Sequence, residues 1–588
     1  MSEEKKINAF NLSLIKRILS YTNEYRKLFL LALFITLFLS ALSIARPLLI
    51  SEALTNYVEK SSDVSGLTRM CLIILGFIFL EAILQYFNTN LTNYIGQSII
   101  RNLRIQLYRH VIHLKSKYYD KTPVGMLVTR VISDIESLSD VFSQGFIVIL
   151  GDIFMLVVFI SAMLYKNWVL ALLVFTTIPL LMIATNMFKK GVKKTFTMVR
   201  NAVSELNAFV QERLSGMIVI QLFNKEEEEF QKFEKINRQH RDSNIKSIFY
   251  YSVFFPVVEI LSSVSIALMI WFAGNNYEWL NVTLGDLTFF LMLTHMMFRP
   301  IRMLADRLNT LQMGIVSAER VFKVLDTEEK ISDKGTTIFE SLNNGISFKN
   351  VDFHYNEENP VLINLNLKIN KGDKVAFVGS TGSGKTTIIN LLSRYYEING
   401  GSIEIDSIDI RDYKLQSLRK NTGVVLQDVF LFNDSIYNNI ALFDQSITRK
   451  HVENAIKEIG LQDFINDLPG GLDYVVKERG ISLSAGQRQL VAFIRAYVYN
   501  PDIFVLDEAT ASIDTPTEML IQKALSAITK NRTSIIIAHR LSTIMDSDKI
   551  YVLKNGKIIE EGNPKELLKT DGEFSNLYNK QLEQENPV

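Results

Sequence analysis

Cysteine is nearly absent from this sequence, which has a single one, Cys71, among 588 residues. An internal disulfide is therefore excluded, and because Cys71 lies in the apolar run CLIILGFIFL, we expect a small hydrophobic residue of the core. Charge of one sign is also lacking, since 63 basic and 62 acidic residues leave a net charge of +1. This balance does not point to a nucleic-acid partner. The opening residues, MSEEKKINAFNLSLIKRIL, lack a long apolar core before a small-residue cleavage site, so no signal peptide is expected.

Apolar residues are abundant instead. They make up 48% of the chain, and the mean hydropathy of +0.14 is high for a soluble protein of this length. A helix needs about 20 apolar residues to cross a bilayer core, and six stretches before residue 310 are long enough. Pro179 lies inside the fourth, where neighbouring membrane helices can tolerate it. The six predicted spans are residues 27–54, 67–88, 141–165, 168–188, 247–273 and 286–309.

Basic residues predict the orientation of these spans. Lys60 and Lys166 are the only lysine or arginine residues in the short connections after the first, third and fifth spans. The two long connections, in contrast, are strongly basic. By the positive-inside rule, both termini and both long connections are expected in the cytoplasm of a multi-pass protein in the cell (inner) membrane. Basic residues of the long connections include Arg101, Arg104, Arg109, Lys115, Lys117, Lys121, Lys189, Lys190, Lys193, Lys194 and Arg200.

The two long connections are predicted to be helical hairpins. Each has about 50–60 residues, far more than an ordinary loop, and residues 90–115 and 195–215 have apolar positions at helical spacing. A helical limb of about 25 residues would extend roughly 37 Å beyond the bilayer. The tips are expected near residues 119–125 and 216–223, and residues 10–26 are predicted to form an amphipathic helix at the membrane surface.

The second half of the chain has a different composition. Residues 326–345, DTEEKISDKGTTIFESLNNG, are polar without an apolar period and are predicted to be a linker. From residue 346 to residue 588, short β-rich runs alternate with helical patterns, which favours an α/β sheet. The predicted architecture is therefore a multidomain membrane protein. Residues 1–325 form a six-helix transmembrane domain with long cytosolic extensions, followed by the linker and an α/β domain.

A phosphate-binding loop is predicted at the start of this domain. The run KVAFVGSTGSGKTTIINLL indicates a strand, a glycine-rich loop and a helix start, and it contains the pattern G-x-x-x-x-G-K-[ST]. Backbone N–H groups of such a loop point at phosphates beside a helix N-terminus that favours anions. Lys385 is expected to neutralise the β- and γ-phosphate oxygens of ATP, and the Thr386 hydroxyl to bind Mg²⁺. The predicted loop residues are Gly379, Ser380, Thr381, Gly382, Ser383, Gly384, Lys385, Thr386 and Thr387.

Two further apolar strands end in polar residues. In DIFVLDEAT, Asp507 stands where the strand ends and suits Mg²⁺, bound directly or through water. Glu508 follows and can polarise the attacking water as a general base. In SIIIAHR, His539 is predicted to contact the γ-phosphate. The sequence thus predicts an ATP-hydrolysing site with Lys385, Glu508 and His539 as its catalytic residues.

A family resemblance rests on a further motif. LSAGQRQL, at residues 483–490, lies about 20 residues before the carboxylate strand and resembles the signature sequence of ABC transporters. The resemblance implies that Ser484, Ala485, Gly486 and Gln487 face the ATP bound by a partner subunit. Six spans followed by one ATPase domain resemble the half-transporter layout of type IV exporters, particularly bacterial multidrug exporters of the heterodimeric kind.

Other motifs of that family follow in order. Tyr355 matches the aromatic residue that stacks on adenine, and Gln427 matches the glutamine that reaches Mg²⁺ and the transmembrane contact. KERG, at residues 477–480, resembles the exporter cross-contact loop. ASID, at residues 511–514, resembles the D-loop at the dimer interface, with Asp514 as its last residue. The resemblance implies that two ATPase domains close around ATP, that the hairpin tips transmit this motion, and that Gln427 and Glu478 lie beneath them.

The nature of the partner is predicted from one departure. Ala485 stands where the family usually has glycine, so that a methyl group enters a space close to the partner's ATP. Because the phosphate loop, Glu508 and His539 all match the family pattern, the mixture resembles the competent subunit of a heterodimer. We therefore favour a heterodimer of two half-transporters, with a homodimer as the alternative.

Other functions fit the sequence less well than ATP-driven export. Soluble ABC ATPases lack fused spans, and importers usually carry spans and ATPase on separate chains. A peptide exporter with a processing protease is disfavoured because no domain with a catalytic cysteine precedes the first span. Export of small amphipathic drugs or lipids remains, with a lipid or lipopeptide flippase as the alternative.

The cargo site is predicted only in outline. Glu81, Asp152 and Glu259 fall inside predicted spans, where ionisable groups usually face an interior cavity. They predict an acidic cavity for cationic amphiphiles; the alternatives are that they pair with Arg46 or lie close to a span end. The sixth span is expected either to form a soft apolar wall of the cavity or to face lipid. Its relevant residues are Phe289, Phe290, Met292, Met296, Met297 and Phe298.

Overall fold

The computed structural model describes residues 12–280, 282–328, 333–507, 515–537 and 541–585. The chain divides into two compact units. The first contains the chain up to Ile112 together with Val124–Thr327, and the second contains His113–Pro123 together with the chain from Glu328 onward. The short segment 113–123, which separates two parts of the first unit in sequence, therefore packs with the second.

The first unit is helical throughout its regular structure. Short π-helical stretches at Leu54–Lys60, Arg130–Asp134 and Val141–Phe146 prolong three of the helices. The helices, numbered along the chain and including α5 of the second unit, are α1 Leu12–Ser20, α2 Arg26–Leu42, α3 Ala45–Ala53, α4 Val64–Val111, α5 Ser116–Lys121, α6 Val124–Thr129, α7 Ile135–Asp140, α8 Ile147–Lys166, α9 Trp168–Phe175, α10 Ile178–Ser215, α11 Met217–Leu222, α12 Glu226–Asn275, α13 Tyr277–Leu280 and α14 Leu284–Leu325.

Five helical runs in the described residues are long and apolar enough to cross a membrane. The sixth predicted span, 286–309, falls on α14, where the structure does not describe every side chain. The five runs are Asn23–Lys60, Val64–Val111, Val124–Lys166, Trp168–Ser215 and Glu226–Asn275.

Several of these helices extend well past a bilayer. Helix α4 has 48 residues and α12 has 50, which at 1.5 Å per residue is roughly 70–75 Å, against about 30 Å for the hydrocarbon core. The predicted long helical extensions are therefore present. The apolar faces of these helices also contain Cys71, which is exposed on α4. Its predicted core position is wrong, because the surface of a membrane helix is as apolar as the interior.

The fourth predicted span is interrupted near Pro179. Helix α9 ends at Phe175 and α10 begins at Ile178, which places Pro179 in the first turn of α10. A proline costs no hydrogen bond there, since the first N–H groups of a helix have no partner within it. Asn167 starts α9 by accepting from the backbone N–H groups of Val169 and Leu170, both at 3.1 Å. The span is thus two helices in succession.

The second unit contains two sheets. A four-stranded antiparallel sheet has the order β2-β1-β4-β5, and a six-stranded sheet has the order β10-β9-β3-β8-β7-β6, in which all neighbours except β10 and β9 are parallel. The strands are β1 Gly345–Asn356, β2 Asn359–Asn370, β3 Lys374–Gly379, β4 Gly400–Ile405, β5 Ile408–Asp409, β6 Thr422–Val425, β7 Ile503–Asp507, β8 Thr533–Ile537, β9 Lys549–Lys554 and β10 Lys557–Gly562.

Helices cover this parallel sheet, as parallel strands require. β7 and β8 are buried at every position, so their continuous apolar runs form the middle of the core. The carboxyl ends of β3, β8, β7 and β6 all lie at one edge of the sheet. The helices are α15 Lys385–Leu392, α16 Leu415–Lys420, α17 Ile436–Ala441, α18 Arg449–Glu458, α19 Gln462–Asn466, α20 Ala485–Val498, α21 Thr515–Thr529, α22 Leu541–Met545, α23 Pro564–Leu567 and α24 Glu573–Glu585.

Candidate nucleotide-binding site

The glycine-rich loop joins the end of β3 to the start of α15. Gly379 and Gly384 have φ angles of +154° and +105°, in the region that favours glycine. A Cβ on Gly379 would lie 2.2 Å from the carbonyl oxygen of Leu553, and one on Gly384 would lie 2.7 Å from a methyl carbon of Leu362. A side chain at either position would collide with Leu553 or Leu362, so both positions need glycine. The absence of a side chain lets the loop lie close to the sheet edge.

Lys385 holds the loop curled. Its side chain is buried, and Nζ donates to the carbonyl oxygens of Gly379 at 2.7 Å and Ser380 at 3.0 Å. Burial lowers the pKa of Lys385, while the nearby Asp507 carboxylate opposes this change. The ammonium group thus lies inside the loop at the N-terminus of α15, beside the N–H groups that would face a phosphate.

A hydroxyl and a carboxylate meet beside this lysine. The Thr386 hydroxyl donates to Asp507 Oδ2 at 3.1 Å, because β3 and β7 both flank β8 and end at the same sheet edge. Such hard oxygen atoms are the ligands that Mg²⁺ prefers. Ser383 Oγ is buried and has no hydrogen-bond partner among the described residues. An oxygen-rich group such as a phosphate would supply that partner, so the residues present fit a magnesium nucleotide.

The predicted adenine residue contacts α15. The Tyr355 hydroxyl is 3.3 Å from the hydroxyl of Thr387 and 3.5 Å from Asn390 Nδ2. Its ring packs edge-on against Tyr396, with centroids 5.0 Å apart. The Tyr396 hydroxyl in turn donates to the carboxylate of Asp120 on α5. Burial and the hydrogen bond to Asp120 raise the pKa of Tyr396.

Tyr396 was missed in the sequence. It matches no motif, and its hydrogen-bond acceptor is 276 positions away. Only the folded chain brings the two together, and no spacing within the sequence could have indicated the pair.

The signature residues form a helix start. Ser484 caps α20, accepting from the Gln487 N–H at 3.2 Å, while Gln487 Oε1 accepts from the Ser484 N–H at 2.9 Å. Ser484 and Ala485 are exposed, and Gly486 is buried. The helix N-terminus is therefore open to an anion from outside this chain.

Gln427 follows β6 at the edge where Asp507 ends β7, and it is exposed. Glu478 begins a short 3₁₀ turn, Glu478–Gly480. The structure brings Lys385, Thr386 and Asp507 together. Three predicted site residues, Glu508, Asp514 and His539, lie outside the described residues.

A second site is a cavity of about 660 Å³ in the helical unit. Glu81 and Asp152 line it as predicted, but Glu259 is exposed on α12 and is not among its described lining residues. Three arginines line it as well, Arg46, Arg299 and Arg307. The predicted acidic character is therefore wrong, because the described lining residues carry more positive than negative charge. Asp152 pairs with Arg307 rather than with Arg46.

The predicted apolar wall is wrong in most positions as well. Phe289, Phe290, Met297 and Phe298 are buried in the helix-packing core, and Met296 alone of the six predicted residues lines the described cavity. The residues of α14 that line the cavity are Met296, Arg299, Pro300, Met303 and Arg307. Their spacing of i, i+3, i+4, i+7 and i+11 is one helix face, which was the signal in the sequence that could have found the arginines.

Comparison with known proteins agrees with this geometry. The family model for the ABC transporter transmembrane region matches residues 29–301. A second family model, for the ABC transporter, matches residues 362–511. The first covers most of the helical unit, and the second includes the glycine loop, the signature helix and Asp507.

Relatives match over nearly the whole chain. The uncharacterized ABC transporter ATP-binding protein YknV of Bacillus subtilis is 36% identical over 582 residues, which is 99% of this chain and 96% of the relative. The ATP-dependent lipid A-core flippase of Desulfotalea psychrophila is 36% identical over 575 residues, 97% of this chain and 100% of the relative.

A solved structure shares the fold. The structure of a bacterial Atm1-family ABC exporter with ATP bound has a TM-score of 0.76 and 27% sequence identity, covering 95% of this chain and 98% of that chain. The predicted fold class and an ATPase activity coupled to membrane transport are thereby confirmed. The chain belongs to the ABC transporter family, as a membrane-spanning half-transporter with the type IV exporter fold.

Proposed function

We propose that this half-transporter exports small amphipathic molecules, drugs or lipids, across the cell membrane by alternating access driven by ATP. The observation that carries the proposal is the hydrogen bond between Thr386 and Asp507 beside Lys385, in a chain that also carries the membrane helices. Residues 1–325 would form a six-span transmembrane domain with both termini in the cytoplasm. Residues 326–345 would be the linker, and residues 346–588 the nucleotide-binding domain.

The chain's own residues would perform separate tasks in hydrolysis. Lys385 and the loop N–H groups would hold the β- and γ-phosphates, Tyr355 would stack on adenine, and Glu508 would take a proton from the attacking water. His539 would contact the γ-phosphate. Thr386, Asp507 and Gln427 would hold Mg²⁺, which when bound neutralises charge on the phosphate oxygens.

A dimer is needed to complete the site. The open N-terminus of α20 would meet the ATP of the partner subunit through Ser484, Ala485, Gly486 and Gln487, and Asp514 would lie at the same interface. Helix α11, at the predicted tip of the second hairpin, exposes adjoining apolar side chains. Exposed apolar patches of this kind mark protein contacts, which supports docking on the partner's ATPase domain. They are Ile218, Val219, Leu222 and Phe223, each 59–73% exposed.

A heterodimer is the form of dimer that we favour, on the evidence of Ala485. Its position in the first turn of α20 has no positive φ, so alanine costs nothing in this chain's own backbone. The cost of its methyl group would arise only against the partner's nucleotide. A homodimer in which the nucleotide shifts slightly is the alternative.

The flippase alternative is supported by the names of several relatives. Lipid A-core flippases of Desulfotalea psychrophila and Syntrophus aciditrophicus are 36% and 33% identical to this chain. An amphipathic lipid would therefore be a reasonable cargo.

The proposal is tested by ATPase assays on the chain and its dimer partner in lipid nanodiscs, with amphiphiles of several charge types added. We expect stimulation by at least one amphiphile, and none in the Lys385→Ala variant, which loses its fixed phosphate cation. The exposed Lys371→Ala variant is the matched control and should behave as wild type. A wild-type ATPase that no amphiphile stimulates would argue against export of such cargo.

A further inference from the structure

The described residues that line the cavity in the helical unit include more arginines than carboxylates, beside apolar side chains. We propose that this cavity binds the anionic headgroup, a phosphate or carboxylate, of an amphipathic cargo. The inference rests on the proposed export function and specifies its cargo. It reverses the expectation of a cationic cargo that the acidic residues of the spans suggested.

The positive charges converge from two helices. Arg46 is on α3, and Arg299 and Arg307 are on the cavity face of α14. Arg299 and Arg307 are eight residues apart, about 12 Å along the helix axis. The cavity therefore has guanidinium groups at more than one height along α14.

The negative charges do not cancel them. Arg307 and Asp152 form an ion pair, which uses one charge of each sign. Arg46 and Arg299 form no ion pair with any described residue, and neither does Glu81. Two unpaired cations thus face one unpaired anion in the described lining.

Arg46 shows the need for a ligand most directly. Its Nε is shielded from solvent and has no hydrogen-bond partner among the described residues. Its Nη2 reaches only the sulfur of Met296, at 4.0 Å, and a thioether is a weak acceptor. A shielded guanidinium without an acceptor is costly, so an anionic oxygen placed there would be stabilising. Charge-assisted hydrogen bonds of this kind are among the strongest that a side chain makes.

The rest of the lining suits an acyl chain. Leu39, Ile78, Met155, Met296 and Met303 supply apolar surface, and methionine adapts to ligands of varied shape. The volume of about 660 Å³ falls within the range of roughly 300–1,000 Å³ that is common for small-molecule sites. An amphiphile would place its headgroup oxygens on the arginines and its acyl chain on the methionine and leucine side chains that lie beside them.

The experiment uses a matched pair of lipids that differ in headgroup charge. Lysophosphatidylglycerol, which is anionic, and monooleoylglycerol, which is neutral and has no phosphate, are titrated into the complete dimer in phosphatidylcholine nanodiscs, and binding is measured by thermophoresis. We expect lysophosphatidylglycerol to bind about tenfold more tightly. The Arg46→Gln/Arg299→Gln double variant should weaken its binding about 10- to 100-fold, since each lost charged hydrogen bond is worth about tenfold. Monooleoylglycerol binding should change by less than about threefold.

Two controls make the result specific. The Arg46→Lys/Arg299→Lys variant keeps the charges and should recover most of the preference, whereas Arg101→Gln, an exposed arginine outside the cavity lining, should leave it unchanged. Replacing the nanodisc lipid with phosphatidylglycerol distinguishes the source of the headgroup, because a bilayer lipid that occupies the site would compete with the added lysolipid. Equal binding of lysophosphatidylglycerol and monooleoylglycerol, or an unchanged preference in the double glutamine variant, would overturn the inference. Either result would leave export itself standing if neutral amphiphiles still stimulate the ATPase.

Discussion

The Tyr396 hydroxyl donates a hydrogen bond to the Asp120 carboxylate. This contact connects helix α5 to the tyrosine that packs against Tyr355. The Tyr396 ring also lies edge-on against Tyr355, at 5.0 Å. Helix α5 lies at the predicted tip of the first hairpin, so one aromatic contact and one hydrogen bond connect the predicted adenine residue to that tip.

Tyr396→Phe removes the hydrogen bond but keeps the ring beside Tyr355. We expect cargo-stimulated ATPase activity to fall severalfold while the KM for ATP stays within about twofold, since a hydrogen bond to a charged acceptor is worth about 1.5–3 kcal/mol at most. Asp120→Ala, which removes the acceptor, should have the same effect. Tyr396→Ala should in addition raise the KM for ATP, because Tyr355 loses its support. If Tyr396→Phe retains full stimulation, the hydrogen bond has no part in coupling.

Glu508→Gln tests the predicted general base. ATP binding should persist, while turnover should fall about 10²–10⁴-fold, the usual contribution of a positioned acid or base. Binding of a fluorescent ATP analogue and release of phosphate are measured on the same preparation. The dimer should accumulate in its closed, ATP-bound form. Hydrolysis at a rate near that of wild type would assign the base to another residue.

Expression of the chain alone tests the heterodimer. We expect an unstable or nearly inactive protein, with activity restored by co-expression of a neighbouring half-transporter whose carboxylate after the corresponding strand is altered. Size-exclusion chromatography and ATPase assays give the two measurements. A stable dimer of this chain alone, with robust amphiphile-stimulated hydrolysis, would show that no second protein is required. Ala485→Gly should then change its activity little.

The ion pair between Arg17 and Asp326 predicts a pH dependence. Both Arg17 side-chain Nη atoms donate to the Asp326 carboxylate at 2.7 Å, and this bonding lowers the pKa of Asp326. A carboxyl group with a depressed pKa stabilises the folded state above its unfolded pKa, and loses this effect as the pH falls through the folded value. Because both side chains are partly exposed, 39% and 57%, the contribution should be below about 1 kcal/mol.

The measurement is thermal unfolding of wild type and Asp326→Asn between pH 7 and pH 3. The wild type should have the higher Tm at pH 7, and the difference should shrink below about pH 4, the region of the ordinary aspartate pKa. Glu328→Gln, at the next acidic position along the chain, which is exposed, is the control. A Tm difference that stays constant down to pH 3 would mean that the ion pair does not stabilise the packing of α1 against the end of α14.

The sequence by itself determined the architecture of the nucleotide loop. Gly379, Gly384, Lys385 and Thr386 work through local backbone geometry, which a motif specifies without distant contacts. The proximity of Asp507 also followed from the sequence, because parallel strands place their carboxyl ends at one edge. Long apolar runs likewise predicted the membrane helices, since the bilayer sets their length.

Only the tertiary structure decided whether a given helix face contacts lipid, protein or a cavity. Periodicity shows that Met296, Arg299 and Met303 share a face, but not whether that face meets lipid, protein or a cavity, because all three environments accept apolar residues. The same uncertainty misplaced Cys71. The cavity's charge depended on Arg46 and α14 approaching Asp152 from separate parts of the chain. The contact of Tyr396 with Asp120 joins residues 276 positions apart, and no local pattern encodes a contact at such a separation.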